Sequence, residues 1–519
     1  MKKKKIIYAY FSGERQLIVD YLYQHKQWEP VYFLGTDVDH NWAKNKYPNS
    51  IIADSAKIRT GEFDYSKIGE PVPIDDKIID SLTKYESNCL ANIEDSTNWN
   101  FSFFERKRYH HDMLKYWNTV INKLKPDVYI LFNWPHTASC YTLYHLCKHY
   151  YSIDVIFINP IPLFNSAFHI TGTTIQSLDS QIVDYYESNE KLILSSDTEK
   201  YFEDVRSEKG RTPDFIMADY NKNKKEDAFF RFKEFVRLII STLFRGSGFK
   251  KARVAIKKNK KPYYKRESKM NHFEHFLFVE YLRNKNRRLL KYYNPHCVEP
   301  NYNRKYLYYA SSYQPEAVTD LHVGHYTDLF LVLDILSSVI PDDWIIYYKE
   351  HPFTFEIASN WKGALRRDKY YYEKVNSYKN VKLVSPFIST FKIMDNAQAV
   401  ASAGGTASWE AAVRGIPSLT FGNVWYSGCK SIFRIQTLQE AQAAIEKIVN
   451  GYRPDKQDVE RYVAAVDKIS FKTREELKTN IPLMELGLVV GEKFKYNTEM
   501  EKIGKYLSEN YEYYYNKKK

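Results

Sequence analysis

The sequence predicts an α/β protein with two doubly wound domains that face a cleft. Short apolar runs alternate with helical periodicity in both halves of the chain, which is the pattern of successive βα units. One run, residues 127–132 (DVYILF), is apolar throughout, as in strands buried on both faces of a parallel sheet. In the second half a glycine turn, residues 402–406 (SAGGT), joins a short apolar run to a helix. A chain of 519 residues is too long to fold around a single hydrophobic core, so more than one domain is expected.

Residues 1–186 make up the first predicted domain, which opens with a βαβ unit and continues through a stretch rich in predicted loops. That stretch contains residues 37–39 (DVD), which have the spelling of a metal-binding motif but lie in a predicted polar loop, so no metal site is assigned there. The predicted elements are strands over 6–11, 30–34, 127–132 and 154–158 and helices over 16–25, 104–124 and 138–150.

Residues 187–300 are predicted to be a helical, basic insert with few strand signals. Within it, residues 229–244 carry apolar side chains at helical spacing, and residues 250–266 contain nine Lys or Arg and no acid. An apolar helix face beside a polybasic run is what an anionic membrane surface binds, so 229–266 is a candidate membrane contact. The alternative is an ordinary core helix followed by a solvated loop.

Residues 301–453 form the second predicted domain, and residues 454–519 a charged helical tail that can pack back across both domains. The predicted elements of the second domain are strands over 305–310, 344–349, 381–384, 399–401 and 419–421 and helices over 326–339, 370–377, 389–395 and 407–414.

Ligands of open parallel sheets bind at the carboxyl ends of the strands. Three polar clusters follow strands of the second domain, and they are predicted to line one crevice. They are residues 311–316 with Asp320, residues 349–352, and residues 402–406 with Ser408 and Glu410.

A phosphate is the ligand that the glycine turn favours. Backbone amides and the positive end of a helix dipole meet at Ser402, Gly404, Gly405 and Thr406, with Ser408 beside them, and Glu410 lies within reach of ribose hydroxyls. The alternative is a purely structural turn between a strand and a helix.

His351 is a candidate phosphate donor and, with a pKa near neutrality, a candidate acid for the leaving phosphate. Lys349 is predicted either to add charge to this site or to be a solvated strand end. Both alternatives stay open at this stage.

Glu316 and Asp320 are the candidate catalytic carboxylates, as base, nucleophile or electrostatic stabiliser of a glycosyl transfer, and either one is alternatively the cap of the next helix. On the acceptor side, Glu14, Asn133 and His136 follow strands of the first domain and are predicted to face the same cleft.

Composition narrows the class of protein. The net charge of +13 favours an anionic partner. The five cysteines show no metal-binding spacing, which is typical of a reduced cytosol. No signal peptide or membrane-spanning run is found, so the expected location is the cytoplasm, and the alternative is a peripheral protein on the inner face of the cytoplasmic membrane. No recognised nucleic-acid module accompanies the basic run.

The segments YQPEAVTD (313–320), YKEHPF (348–353) and SAGGTASWEAAVRGIP (402–417) together resemble the bacterial capsule polysaccharide biosynthesis family. That family includes transferases of 3-deoxy-manno-octulosonic acid (Kdo) and other ulosonic acids to surface glycans. It is similar in plan to the GT-B glycosyltransferases, which have two Rossmann-like domains. The resemblance is specific over about 305–425 and weak over the first domain.

This resemblance implies a metal-independent glycosyltransferase without a cofactor, acting in capsule or lipopolysaccharide assembly. It would use a CMP-activated ulosonic acid donor and a glycan or lipid-linked acceptor. His351 would meet the donor phosphate, the turn at Ser402–Ser408 and Glu410 would hold phosphate and ribose, and Gln314 with Glu316 match the family's Gln-plus-acid loop, although many members space these two residues differently.

Two other functions remain open. One is a GT-B-shaped UDP-sugar epimerase, although such enzymes carry paired glutamates after the turn, whereas here Trp409 precedes Glu410 and Ala411 follows it. The other is a non-enzymatic module that recognises a glycan or an anionic lipid.

Overall fold

The computed structural model describes residues 3–59, 61–96, 101–160, 167–171, 180–188, 190, 193–207, 272–355, 361–468, 471–472 and 497–516. The candidate membrane segment 229–266 lies outside these residues. None of the described helices is both long and apolar enough to cross a membrane.

The first half of the chain alternates strands and helices. Its strands are β1 (Lys4–Ala9), β2 (Trp28–Gly35), β3 (Ile51–Asp54), β4 (Val128–Leu131), β5 (Asp154–Pro160) and β6 (Ala167–Thr171). Its helices are α1 (Gln16–Lys26), α2 (Asp37–Lys46), α3 (Ser55–Arg59), α4 (Asp76–Ser96), α5 (Phe103–Leu124), α6 (Ala138–His145), α7 (Ser180–Glu187) and α8 (Ser196–Arg206).

The second half repeats this alternation. Its strands are β7 (Tyr306–Ala310), β8 (Ile345–Lys349), β9 (Val381–Val384), β10 (Ala399–Ser402), β11 (Ser418–Thr420), β12 (Phe433–Arg434) and β13 (Phe471–Lys472). Its helices are α9 (His272–Tyr293), α10 (Leu329–Val339), α11 (Lys369–Ser377), α12 (Thr390–Asp395), α13 (Ala407–Val413), α14 (Leu438–Val449), α15 (Lys456–Lys468) and α16 (Asn497–Asn516).

The strands form two sheets. The first has the order β13-β6-β5-β4-β1-β2-β3, with β6 and β13 antiparallel to their neighbours and the other strands parallel. The second has the order β12-β11-β10-β7-β8-β9 and is parallel throughout. Helices pack on both faces of each sheet, because strands without a polar face must be covered on both sides. The predicted fold class, two doubly wound Rossmann-like domains, is therefore confirmed.

Two expectations for the first domain were wrong. The stretch expected to be rich in loops holds α4, whose buried Ile78, Leu82, Cys89 and Ile93 follow helical spacing. The DVD segment begins α2 instead of lying in a loop. There the Asp39 carboxylate is buried and accepts hydrogen bonds from the Thr36 N–H at 3.0 Å and the Thr36 hydroxyl at 2.8 Å. It is thus committed to capping the helix.

The described parts of the segment 187–300 pack as components of the second domain rather than as a separate insert. Tyr201 of α8 accepts a hydrogen bond from the indole of Trp409, and the Tyr293 hydroxyl at the end of α9 donates to the carbonyl of Val384. The two helices of the tail divide between the domains. In the tail, α15 packs in a cluster with Trp409, whereas α16 packs on α1 of the first domain.

The two domains meet where α4 contacts the chain after β7. Asn88 donates to the carbonyl oxygens of Asp320 at 2.7 Å and Gly324 at 3.0 Å. The Arg366 guanidinium lies 3.2 Å from the Glu94 carboxylate, which adds an ion pair to the junction.

Candidate active site

The strand register brings the three predicted polar clusters to one edge of the second sheet. Ala310, the last residue of β7, is level with Lys349 at the end of β8 and with Ser402 at the end of β10. Because β7 lies between the other two strands, the ends of β8 and β10 are two strand spacings apart, about 10 Å. The loops after β7 and β8 lie close together, since the rings of Tyr313 and His351 are 6.0 Å apart. Val323, in the chain after β7, lies against Gly404 of the glycine turn.

His351 is held in one tautomer by its own loop. The Phe353 N–H donates to His351 Nδ1 at 3.2 Å, so the neutral ring carries its proton on Nε2. Burial, followed by the charge of Lys349, lowers the pKa of His351 to about 4. The expectation of a pKa near neutrality was therefore wrong. The ring is neutral at pH 7 and can donate a hydrogen bond to a phosphate without delivering a proton.

A buried ion pair braces the loop that carries His351. Arg367 Nε lies 2.9 Å from the Glu350 carboxylate, and both side chains are almost fully buried. Burial by itself would raise the pKa of Glu350, but the Arg367 charge and the hydrogen bonds to the carboxylate outweigh burial and lower it. Glu350 in turn accepts the N–H of His351 at 3.1 Å. The pair therefore fixes where the His351 loop starts.

Gln314 is part of this brace and not a free ligand contact. Its Oε1 accepts from Arg367 at 2.9 Å, and its Nε2 donates to the Thr327 carbonyl at 2.8 Å. The side chain is buried and both ends of its amide are engaged, so Gln314 supports the loop, and a direct contact with the donor stays a prediction.

Lys349 is buried, which excludes the solvated strand end. Its ammonium donates to the Thr390 hydroxyl at 3.2 Å, and burial lowers its pKa to about 8. At neutral pH it is mostly charged, so it places a positive charge close to His351.

The glycine turn is fastened by buried hydroxyls. Ser402 and Ser408 lie 2.8 Å apart, Ser402 contacts the Gly405 carbonyl at 3.0 Å, and Ser408 contacts that of Leu419 at 2.8 Å. Both serines are fully buried, so they shape the turn instead of contacting a ligand directly. Direct donor contacts by the two serines stay a prediction.

The two glycines of the turn have different surroundings. A Cβ on Gly404 would meet Val323 Cγ1 at 2.6 Å, whereas a Cβ on Gly405 would meet nothing closer than 3.8 Å. Gly404 is therefore required by the close approach of the β7 loop, and the protein leaves space beside Gly405. Beside the turn, the Thr406 hydroxyl donates to Glu410 at 3.3 Å, and burial is the main cause that raises the pKa of Glu410.

The two candidate carboxylates lie in opposite environments. Glu316 is exposed to solvent, yet the protein atoms around it desolvate the carboxyl and raise its pKa to about 7. Both the exposure and the raised pKa are explained if the Glu316 side chain lies in a recess that solvent reaches. Asp320 has 0% exposure, so its carboxylate is covered by protein in this arrangement, and its catalytic role stays a prediction. Neither residue caps α10, whose first turn is capped by Asp328.

Of the three residues predicted for the acceptor side, His136 has the favourable geometry. It is exposed, its Nδ1–H donates to the Trp134 carbonyl at 2.6 Å, and Nε2 is left unprotonated. Its ring lies 6.1 Å from that of His322 in the second domain, so it faces the junction. The Asn133 amide oxygen accepts the N–H of Trp134 at 2.8 Å. Glu14 has no described side chain, so its role stays a prediction.

Sequence reasoning missed Arg367 and Val323. Arg367 is 17 and 53 residues away from the partners that it holds, and Val323 is far in sequence from Gly404. No local pattern marks such contacts.

Among the described residues, no group of three or more His, Cys, Asp or Glu is arranged to hold a metal ion.

A scan against protein-family models and a search of curated protein sequences returned no match. Solved structures with a similar course of the chain include UDP-GlcNAc 2-epimerase from Methanocaldococcus jannaschii, with 12% identity, 89% of this chain and 99% of that chain covered, and a TM-score of 0.25. The epimerase from Neisseria meningitidis has 10% identity, coverage of 90% and 98%, and a TM-score of 0.23. A beta Kdo 2,7 transferase, KpsC from Thermosulfurimonas dismutans, has 15% identity, coverage of 38% and 66%, and a TM-score of 0.20. Scores this low say nothing about the activity of this chain.

Proposed function

We propose that this protein is a glycosyltransferase of bacterial surface polysaccharide assembly. It transfers a sugar from a nucleotide donor, an ulosonic acid such as Kdo from its CMP conjugate, to a glycan or glycolipid. The observation that supports this best is the recess at the carboxyl edge of the second sheet. The strands that end at this edge are followed by a neutral imidazole, a buried ammonium, a glycine turn and a carboxyl group whose pKa is raised to about 7.

The donor phosphate is assigned to the second domain. His351 Nε2–H donates to a phosphate oxygen, Lys349 supplies positive potential, and the backbone beside Gly405 leaves room for the phosphate. Hydrogen bonds to a charged group are worth about 1.5–3 kcal/mol each. As the bond between the anomeric carbon and the phosphate oxygen breaks, the same groups stabilise the growing negative charge on the nucleotide.

Glu316 is assigned as the general base. An acceptor hydroxyl attacks the anomeric carbon, its proton moves to Glu316, and the nucleoside monophosphate leaves. A base is most effective when its pKa lies near the working pH, which a carboxyl of ordinary pKa does not reach. His136 Nε2 accepts a hydrogen bond from the acceptor and orients it.

The epimerase alternative uses the same fold, but position 409, where paired glutamates would require an acid, is Trp409, 1% exposed and packed against Tyr201. A binding module without activity would not need a carboxyl group tuned to neutral pH.

A panel of sugar nucleotides tests the proposal. With wild-type protein and a bacterial glycan acceptor, we expect consumption of a CMP-ulosonic acid and release of CMP, and about 10–100-fold slower turnover by His351→Ala. The exposed His296→Ala is the control and should behave as wild type. Epimerisation of a UDP-sugar, or no stabilisation of the protein by any nucleotide, would refute the proposal.

The two glycines of the turn provide a matched pair of variants. Gly404→Ala should destabilise the protein by about 1–3 kcal/mol, because the new methyl group overlaps the buried side chain of Val323. Gly405→Ala should leave thermal stability unchanged and weaken CMP binding at least 10-fold, because its methyl group occupies the space assigned to the phosphate. Unchanged CMP affinity in Gly405→Ala, measured by titration calorimetry, would remove the turn from the donor site.

A further inference from the structure

A pocket of about 180 Å³ lies at the junction of the two domains, and its lining includes none of the residues assigned to the donor phosphate. Residues of α4 and of the chain from α6 onward form one wall, and residues after β7 form the other, together with Asn423. The volume is several times the ~30 Å³ that one water molecule occupies in the liquid. A molecule bound there would contact both domains at once.

The floor of this pocket contains an unsatisfied polar group. His145 is 4% exposed, and neither of its ring nitrogens has a hydrogen-bond partner among the described residues. Its ring is stacked on Tyr85 with the centroids 3.6 Å apart and lies edge-on to Tyr141 at 4.2 Å. Leaving a buried polar atom without a partner costs about 1–3 kcal/mol of folding free energy. A histidine placed there by packing alone would therefore destabilise the protein.

The mouth of the pocket is basic. Lys84, Lys148, His149 and His325 line it, and the described lining contains no carboxylate. Burial, followed by the charges of His149, Lys148 and Lys84, lowers the pKa of His145 well below its usual value. The His145 ring is therefore neutral, with one N–H donor and one nitrogen acceptor. A ligand that hydrogen-bonds to both nitrogens of His145 needs an acceptor oxygen and an O–H donor. The positive charges of Lys84 and Lys148 favour an anion.

We propose that the junction pocket is a second ligand site, which binds a phosphate group, with Lys84 and Lys148 at its mouth and His145 at its floor. At neutral pH, phosphate carries both O–H and anionic oxygens, whereas sulfate has no O–H. The phosphate is either free or esterified to a sugar, and both forms carry anionic oxygens. The ester is mostly dianionic at neutral pH, because its second pKa is about 6, so its O–H donor is a sugar hydroxyl. Because both domains line the pocket, its occupancy stabilises their present arrangement.

Titration calorimetry on the full chain tests this site with inorganic phosphate, a hexose 1-phosphate, sulfate, and chloride at matched ionic strength. We expect phosphate to bind more tightly than sulfate and chloride. His145→Phe, which keeps the stacked ring, and the double variant Lys84→Gln/Lys148→Gln should each weaken phosphate binding at least 10-fold. The control is Lys77→Gln, at an exposed position of α4, the helix that carries Lys84. This variant should leave phosphate binding unchanged. Tighter binding of the hexose 1-phosphate identifies the esterified form as the ligand, and tighter binding of inorganic phosphate identifies the free anion.

Gly405→Ala separates this site from the proposed donor turn. Phosphate binding that persists in Gly405→Ala and is lost in His145→Phe supports the junction site whatever the outcome at the turn. Binding that is unchanged in His145→Phe and in the double lysine variant overturns it, as does phosphate binding no tighter than chloride.

Discussion

Replacing Arg367 by methionine should lower the free energy of unfolding by about 3–5 kcal/mol, because it leaves the Glu350 carboxylate buried without its ion-pair partner. At roughly 2–4 °C per kcal/mol, the melting temperature should fall by about 6–20 °C. Arg304→Met, at an exposed position, is the matched control and should stay within about 0.5 kcal/mol of wild type.

The pH dependence of this effect identifies its cause. In the wild type the folded-state pKa of Glu350 is lowered, so the stability that it contributes is present above its unfolded pKa and is lost as the pH falls through the folded value. Without Arg367, burial dominates and raises that pKa, so ionisation of Glu350 destabilises the variant. Thermal melts should show a larger difference between variant and wild type at pH 8 than at pH 5. An equal difference at both pH values, or a loss below about 1 kcal/mol, would contradict the role given to the ion pair.

Glu316→Gln should reduce transfer by about 10²–10⁴-fold, the usual contribution of a general base. In the wild type, the rate should rise as the pH passes through about 7, the pKa of Glu316, and this limb should disappear in the variant. His351, with a pKa of about 4, and Lys349, with a pKa of about 8, titrate on either side of that limb.

Stability gives an independent reading of the same variant. The folded pKa of Glu316 is raised above its unfolded value, so the favourable contribution is complete below the unfolded pKa and is lost as the pH rises through about 7. Gln does not ionise, so Glu316→Gln should melt at a temperature equal to or above that of wild type at pH 8. Asp320→Asn is not an equivalent control, since Asp320 is buried. Full activity of Glu316→Gln would assign the base to another residue, with His136 the first to test.

Much of the fold could be predicted because its elements are local. The strand at β9 and the helix at α13 were placed within a residue of their observed bounds, since short apolar runs, helix caps and glycines act over a few residues. The helix α4 was missed although its apolar spacing is regular, because the many polar residues around it suggested a loop. The assembly of the described ends of segment 187–300 into the second domain depends on long-range packing that no local pattern contains.

The sequence by itself determined that His351, Glu316 and the glycine turn follow parallel strands, and parallel strands present their carboxyl ends at a shared edge. Only the tertiary structure decided which side chains face the recess and which are buried and support its loops. Gln314, Asp320, Ser402 and Ser408 proved to be buried, and Arg367 proved to be the cation that braces the loop. The physical reason is that burial, and with it the pKa of His351 and of Glu316, is set by atoms from segments distant in sequence, and these meet only when the chain has folded.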